Sequence, residues 1–322
     1  MLSEFDLIAR YFHRSRKINH HTALGVGDDC ALLAPAPGMQ LAISTDMLVE
    51  GRHFFAGASP FKLGHKCLAV NLSDLAAMGA EPLAFTLALS LPDINEEWLQ
   101  GFSQGMFALG DAHACELIGG DTTRGPLTIC ITVFGQVPAG LALRRDGAQA
   151  GDDIWVSGSL GEARLALAGR LTEMVVDTAT LEAAAVRMDQ PNPQIALGLQ
   201  LRNIAHAALD VSDGLAGDLG HILKASKVGA TLDADSLPFG PALQSLPLDI
   251  KRQFALAGGD DYELCFTAPA GKRDQVLAAA KTAGVAVTRI GRIEEQAGLR
   301  ITDGAGKSLN VSLQSFDHFK TP

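Results

Sequence analysis

Six stretches of the chain set carboxylates beside glycines and hydroxyls: Gly25-Val-Gly-Asp-Asp-Cys30, Ser44-Thr-Asp46, Asn71-Leu-Ser-Asp74, Leu117-Ile-Gly-Gly-Asp-Thr-Thr-Arg-Gly125, Asp210-Val-Ser-Asp-Gly214 and Gly258-Gly-Asp-Asp261. Any one of them reads as a turn or a helix cap, because Asp, Ser and Gly are ordinary at both. Asp213, for instance, is placed to cap the helix that follows Gly214. A recurring set without nearby Cys or His is different. All-oxygen donors suit Mg²⁺, which takes a few carboxylates and completes its shell with substrate phosphates. Gathered without a cation, so many carboxylates would repel one another. The stretches therefore point to a site for a magnesium-bound polyphosphate. In LIGGDTTRG, the glycines would let a backbone approach phosphate, Asp121 would hold a metal, and Arg124 reads equally as a phosphate ligand or a structural ion pair.

Elements must position these residues. Ser3 and Asp6 form a capping-box pattern ahead of an amphipathic helix. Leu41–Asp46 reads as a strand ending in polar residues. Phe61, Leu68, Leu72, Leu75 and Met78 recur at helical spacing from Pro60, and Gly79 stops the pattern. On that helix Asn71 and Asp74, three apart, face the same way. Ala84–Leu91 is a strand, Asn95 opens a helix reaching about Cys115, Leu117-Ile118 is a strand running into GGDTTRG, and Leu127–Val137 is another strand. A loop rich in Gly, Pro and Arg spans 138–151 and separates domains 1–138 and 139–322. Beyond it, Ile154–Gly158 is a strand, helices fill most of 159–207 including Leu171–Arg187, and Ala208–Asp213 is a strand. Strands Glu263–Thr267 and Val285–Ile290 flank a helix, Lys272–Ala283. Alternating strands and helices in both halves give an α/β or α+β protein.

Composition narrows the function. The 322 residues are 47% hydrophobic and 19% charged, as in a globular protein, and the net charge of -10 argues against a nucleic-acid partner. No apolar run is long enough to span a bilayer, and the N-terminus lacks the apolar run of a signal peptide, so no membrane association and a cytoplasmic location are expected. Cys30, Cys67, Cys115, Cys130 and Cys265 form no C-x-x-C pair and read as reduced thiols. Gly304-Ala-Gly-Lys-Ser308 mimics the end of a P-loop, but Ile301 stands where its first Gly belongs, so a hairpin turn is expected.

In this order, GVGDDCALL, LAISTDMLVEGRHF, KCLAVNLSDLAAMGAEP, LIGGDTTRG, DVSDGLAGDLGHI and ALAGGDDYELCFT, with the terminal DHFKTP, resemble the thiamine-monophosphate kinase family. The wider superfamily includes aminoimidazole ribonucleotide synthetase. The resemblance implies a two-domain fold like that synthetase, each domain a mixed sheet with packed helices, and a homodimer joined through the N-terminal sheets. It implies ATP-dependent, Mg-assisted direct in-line phosphorylation of thiamine monophosphate to thiamine diphosphate, the last step of that cofactor's biosynthesis. Carried over residue by residue, Asp29, Ser44, Thr45, Asp46, Asp74, Asp121, Asp210 and Asp213 would bind several Mg²⁺ ions, with Asp46, Asp121 and Asp210 catalytic. Gly120, Asp121, Arg145 and Ser212 would contact ATP, and His53, Asp261 and Phe316 would contact thiamine monophosphate. The family's usual GGEDYE is GGDDYE here, with Asp260 in place of Glu. A non-catalytic nucleotide-binding regulator and another kinase or synthetase of the superfamily remain the alternatives.

Overall fold

The computed structural model describes residues 3–14 and 19–311. The chain divides into two compact units, Met1–Leu75 with Ala80–Gly140, and Ala76–Gly79 with Leu141–Pro322.

The first unit runs α1 (Glu4–Tyr11), β1 (Thr22–Leu24), β2 (Leu32–Leu33), β3 (Met39–Val49), α2 (Pro60–Ala77), β4 (Glu81–Leu91), α3 (Glu96–Ala112), β5 (Glu116–Arg124) and β6 (Thr128–Pro138). The capping box at Ser3 and Asp6 starts α1. The Asn95 side chain starts α3 by accepting the Trp98 N–H at 3.0 Å. Leu68, Leu72 and Leu75 share one face of α2 and are fully buried, as their spacing requires. Helices α2 and α3 cross almost backbone to backbone: a Cβ on Gly64 would lie 2.0 Å from the Phe102 carbonyl oxygen, and one on Gly105 would lie 1.9 Å from that of Phe61.

Among the described residues the long strands form a four-stranded sheet in the order β3-β6-β4-β5. β6 runs antiparallel to both β3 and β4, while β4 and β5 are parallel. A parallel pair needs a crossover, and α3 supplies it. Alternation along the strands then sorts the side chains. Leu87, Leu89, Ile129, Ile131 and Val133 are buried on the face that α2 packs against, whereas Leu41, Ile43 and Met47 stand exposed on the other.

The second unit runs β7 (Asp152–Ser157), α4 (Glu162–Arg170), α5 (Thr178–Asp189), α6 (Ile195–Leu201), β8 (Ala207–Asp210), α7 (Leu215–Ser226), β9 (Gly229–Asp233), α8 (Leu248–Ala257), β10 (Leu264–Pro269), α9 (Arg273–Ala283), β11 (Val287–Glu294) and β12 (Gly298–Thr302). Among the described residues its six strands are ordered β12-β9-β11-β7-β10-β8, antiparallel except for β12 with β9. Ile154, Val156, Leu209, Leu219, Ile222 and Ile290 centre its core. Both units are thus mixed sheets with packed helices. No helix among the described residues is long and apolar enough to cross a membrane.

Three sequence expectations change. GGDTTRG does not follow a strand but continues one, since β5 extends through Arg124. The reason is its parallel pairing with β4, which overrides the turn propensity of Gly, Asp and Thr. The stretch from Leu171 to Arg187 is not one helix: Thr172 has φ 57, and Asp177 caps a new helix by accepting the Thr180 N–H. The strand expected to reach Asp213 stops at Asp210, because the chain turns there toward α7. The false P-loop is the hairpin turn that was expected, with Thr302 bridged to Ser308.

Candidate functional site

Ser44 and Asp46 lie two apart on β3, so both point toward α2. There Asn71 and Asp74 face them. The Asn71 side-chain oxygen accepts the Asp46 N–H at 3.1 Å, while its amide nitrogen donates to the Cys67 carbonyl at 3.0 Å. Asn71 is fully buried, and its bond to Cys67 is shielded from water. The Ser44 hydroxyl donates to the Asp74 carboxylate. Burial, and then the Asp74 charge, push the Asp46 carboxyl up to about 6. A hard cation between the two would reverse that cost, so this donor set fits Mg²⁺.

The other expected ligands lie elsewhere. Thr45 points to the opposite face, where its hydroxyl meets that of Thr132 at 2.8 Å. Asp121 pairs with Ala88, in the row of Cys130 and Met47, and is therefore also on the open face. Asp46 lies in the row of Ile131, Leu87 and Gly120, on the covered face. Asp29 is exposed in the loop ahead of β2. Among the described residues no three His, Cys, Asp or Glu side chains converge on one point that could hold a metal. A pair suffices for Mg²⁺ when substrate phosphates and water supply the remaining oxygens.

Gly120 has a packing reason. A Cβ there would lie 1.9 Å from the Leu87 carbonyl oxygen of β4. Arg124, at the end of β5, donates to the Pro92 carbonyl at 3.2 Å and approaches Asp93 at 3.6 Å, so it is an exposed ion pair. In the turn after β3, the Val49 N–H donates to His53 Nδ1 at 3.0 Å. A neutral His53 therefore carries its proton on Nε2, as a donor.

The second unit holds its own group. Asp210 ends β8 and is buried. After it, Asp218 Oδ2 accepts the N–H groups of Ser212 and Asp213 at 3.1 and 3.0 Å. Asp213 does not cap α7, since Gly214 takes that position without a side-chain bond. The Ser212 carbonyl accepts the Asp260 N–H at 2.8 Å, and the Val211 carbonyl accepts the Tyr262 N–H at 2.8 Å. Those bonds hold Asp260 and Tyr262 at φ 71 and 51, in the left-handed region that ordinary residues avoid. Asp261 between them is buried, and its carboxylate accepts the Gly161 N–H at 3.0 and 3.2 Å. Burial is the main cause that raises its carboxyl well above the usual range, and Glu263 adds to it. Arg144 is paired with Asp146 at 2.6 Å. The adjacent Arg145 is exposed, and among the described residues no hydrogen bond or ion pair engages its guanidinium. Phe316 lies outside the described residues.

Sequence reasoning missed Asn71, Gly161 and Asp218 as residues that position the expected ligands. Asn71 carried a signal, its placement three before Asp74. Gly161 carried only the weak mark of a glycine after the strand Ile154–Gly158, and Asp218 carried none, since each acts through partners brought by the fold.

The chain matches known proteins along its length. Residues 27–137 match the AIR synthase related protein N-terminal domain family, and 149–304 match the corresponding C-terminal domain family. The thiamine-monophosphate kinase of Escherichia coli strain K12 is 46% identical over 321 residues, covering 99% of both chains. The crystal structure of a thiamine-monophosphate kinase from Stenotrophomonas maltophilia K279a superposes with a TM-score of 0.84 at 49% identity, covering 94% of this chain and 95% of the other. A structure of AaThiL complexed with AMPPCP and TMP superposes with a TM-score of 0.74 at 28% identity, covering 85% and 88%.

Proposed function

The chain belongs to the AIR synthase related family and, within it, to the thiamine-monophosphate kinases, and on that premise we propose that it transfers the γ-phosphoryl group of ATP in line and directly to thiamine monophosphate. The observation that carries the mechanism is the Ser44–Asp46–Asp74 group, an oxygen-only site in which burial and the Asp74 charge raise the Asp46 carboxyl.

The acceptor is a phosphate oxygen, largely ionised near neutral pH, so no strong general base is required. What must be overcome is the approach of two polyanions. Bound Mg²⁺ would supply the charge that offsets their repulsion and polarises the transferred group. Asp46 and Asp74 would hold one ion, with Ser44 fixing the Asp74 rotamer and Asn71 fixing the backbone under Asp46. Asp121 serves a different ion, because it lies on the other face and three strand spacings away, about 14 Å. Asp29, Asp210 and Asp213 remain proposed metal ligands, as does Thr45, through its carbonyl rather than its outward side chain. Gly120, Arg145 and Ser212 are proposed to hold ATP phosphates. His53, through Nε2, and Asp261 and Phe316 are proposed to contact thiamine monophosphate.

We also propose a homodimer joined through the first unit's open sheet face. Leu41, Ile43 and Met47 are 44%, 59% and 56% exposed there, an apolar stripe on an edge strand that a second copy would cover. A cytoplasmic location accompanies this, in keeping with free thiols at Cys67, Cys115 and Cys265.

The test is ADP release by the purified chain with ATP and Mg²⁺, with and without thiamine monophosphate, together with chromatographic detection of thiamine diphosphate. Release that ignores thiamine monophosphate would sink the reading.

A further inference from the structure

A groove of about 490 Å³ lies on the second unit's sheet, and charged and hydroxyl side chains make up most of its lining. The two faces of that sheet differ. Ala230, Leu232, Ile290, Ile293 and Ile301 turn one face of β9, β11 and β12 into the core. On the other face α9 packs against β10. The groove runs beside the start of α9, over β11 and β9, with Ala270 and Arg273 on one side of it.

Strand register places its charges. Asp153 of β7 pairs with Arg292 of β11, Arg292 with Thr231 of β9, and Thr231 with Arg300 of β12, so the four share one row and one face. Arg289 pairs with Trp155, two residues on from Asp153. Three apart on a regular strand, Arg289 and Arg292 would face opposite ways. A bulge between Arg289 and Gly291 supplies the extra residue that turns both to the groove. Gly291 permits the close approach there, since a Cβ would lie 2.2 Å from the Thr231 carbonyl oxygen. The two arginines thus stand about 7 Å apart along the strand, a span that one tetrahedral anion bridges.

The pairing of charges leaves these two available. Asp153, whose side chain is 3% exposed, accepts Arg273 Nε at 2.5 Å and Nη2 at 2.9 Å, while Arg289 reaches it only at 3.4 Å. Glu294 accepts Arg300 Nε at 2.9 Å and the Thr231 hydroxyl at 2.8 Å. Asp233 Oδ1 accepts the Asp235 N–H at 2.9 Å, which leaves Oδ2 to the groove. Arg292 is exposed, and among the described residues no hydrogen bond or ion pair engages its guanidinium. Four arginines therefore meet three carboxylates, a local positive excess in a chain of net charge -10. Among the described residues no aromatic ring lines the groove to stack on a base. Asp233 and Glu294 would repel a bare phosphate but accept hydroxyl groups carried beside one.

We propose that this groove binds a phosphorylated polyol of sugar size, with its phosphate on Arg289 and Arg292 and its hydroxyl groups on Asp233. The site is separate from phosphoryl transfer. It flanks the start of β7, whereas the turn whose Gly161 bonds Asp261 follows the end of that strand.

Ribose 5-phosphate is the probe, titrated calorimetrically into the full chain in chelating buffer, where no Mg²⁺ carries phosphate to the acidic stretches. One molecule binds per chain. Arg292→Gln weakens that binding by about tenfold or more, and Arg292→Lys, which keeps the charge, retains most of it. Asp233→Asn weakens ribose 5-phosphate but not inorganic phosphate. Michaelis constants for ATP and thiamine monophosphate stay within about twofold of the wild type in all three variants. Absence of binding at millimolar ribose 5-phosphate overturns the proposal, as does binding that Arg292→Gln leaves intact. Inorganic phosphate and ribose 5-phosphate bound alike by the wild type and by Asp233→Asn would reduce the groove to an unselective anion patch and also overturn it. So would equal losses in Arg292→Gln and Arg292→Lys with lowered melting temperatures, which would make Arg292 a packing residue.

Discussion

Asp46 is a residue on which the fold imposes an electrostatic cost. Its carboxyl is pushed up to about 6 by burial and Asp74. The folded form therefore binds a proton more tightly than the unfolded chain does. The associated stability is complete below about pH 4 and is lost as pH rises through about 6. Asp46→Asn removes that cost and the ligand together. Turnover should fall by about 10²–10³-fold or more, while the metal-free melting temperature at pH 7.5 should rise by about 1–3 °C. Steady-state kinetics and a thermal melt check both, and near-normal turnover would remove Asp46 from the metal group. Asp261 has the same sign and the same leading cause, burial, with the Gly161 N–H opposing it and Glu263 adding to it. Its stability is present below about pH 4 and lost as pH rises through its raised value. Melts from pH 4 upward should show Asp261→Asn flatter than the wild type, and parallel curves would refute the assignment.

Among the elements, the α2–α3 crossing best shows which of two opposed effects wins. Alanine exceeds glycine inside a helix by about 1 kcal/mol. At Gly105 a Cβ would meet the Phe61 carbonyl oxygen at 1.9 Å, and this is rigid backbone rather than a flexible side chain. Forcing the helices apart costs about 1–3 kcal/mol, so Gly105→Ala should destabilise despite its better propensity. A denaturant midpoint at or above that of the wild type would show that the crossing yields. The same crossing sets α2 against β3, and so sets where Asp74 stands relative to Asp46. Loss of stability in Gly105→Ala should come with weaker Mg²⁺ activation.

At the scale of the whole molecule, the open sheet face and the proposed cation sites make separate predictions. Ile43→Lys places a charge in the middle of the exposed stripe, 59% exposed in the single chain. Sedimentation should then show a monomer where the wild type sediments as a dimer, and an unchanged dimer would place the interface elsewhere. Chelation should abolish turnover, and Mg²⁺ should restore it. Turnover that survives exhaustive chelation would refute the metal reading.

Much of this protein was legible in its residues because local rules govern them. The helical spacing of Leu68, Leu72 and Leu75 and the caps at Ser3 and Asn95 act over a few residues, and each has its counterpart in the fold, whereas Phe61 and Met78 at the ends of the same pattern stay exposed. What only the tertiary structure decided is how separated stretches meet. The order β3-β6-β4-β5 is not the order of the chain, so no local pattern says that Asp46 and Asp121 fall on opposite faces. Nor does one show that Gly120 answers to Leu87 or that Asp261 rests on Gly161, 100 residues before it. Side-chain alternation is a property of one strand. Register, crossover and burial are properties of several strands at once, and they determined which carboxylates lie on a shared face.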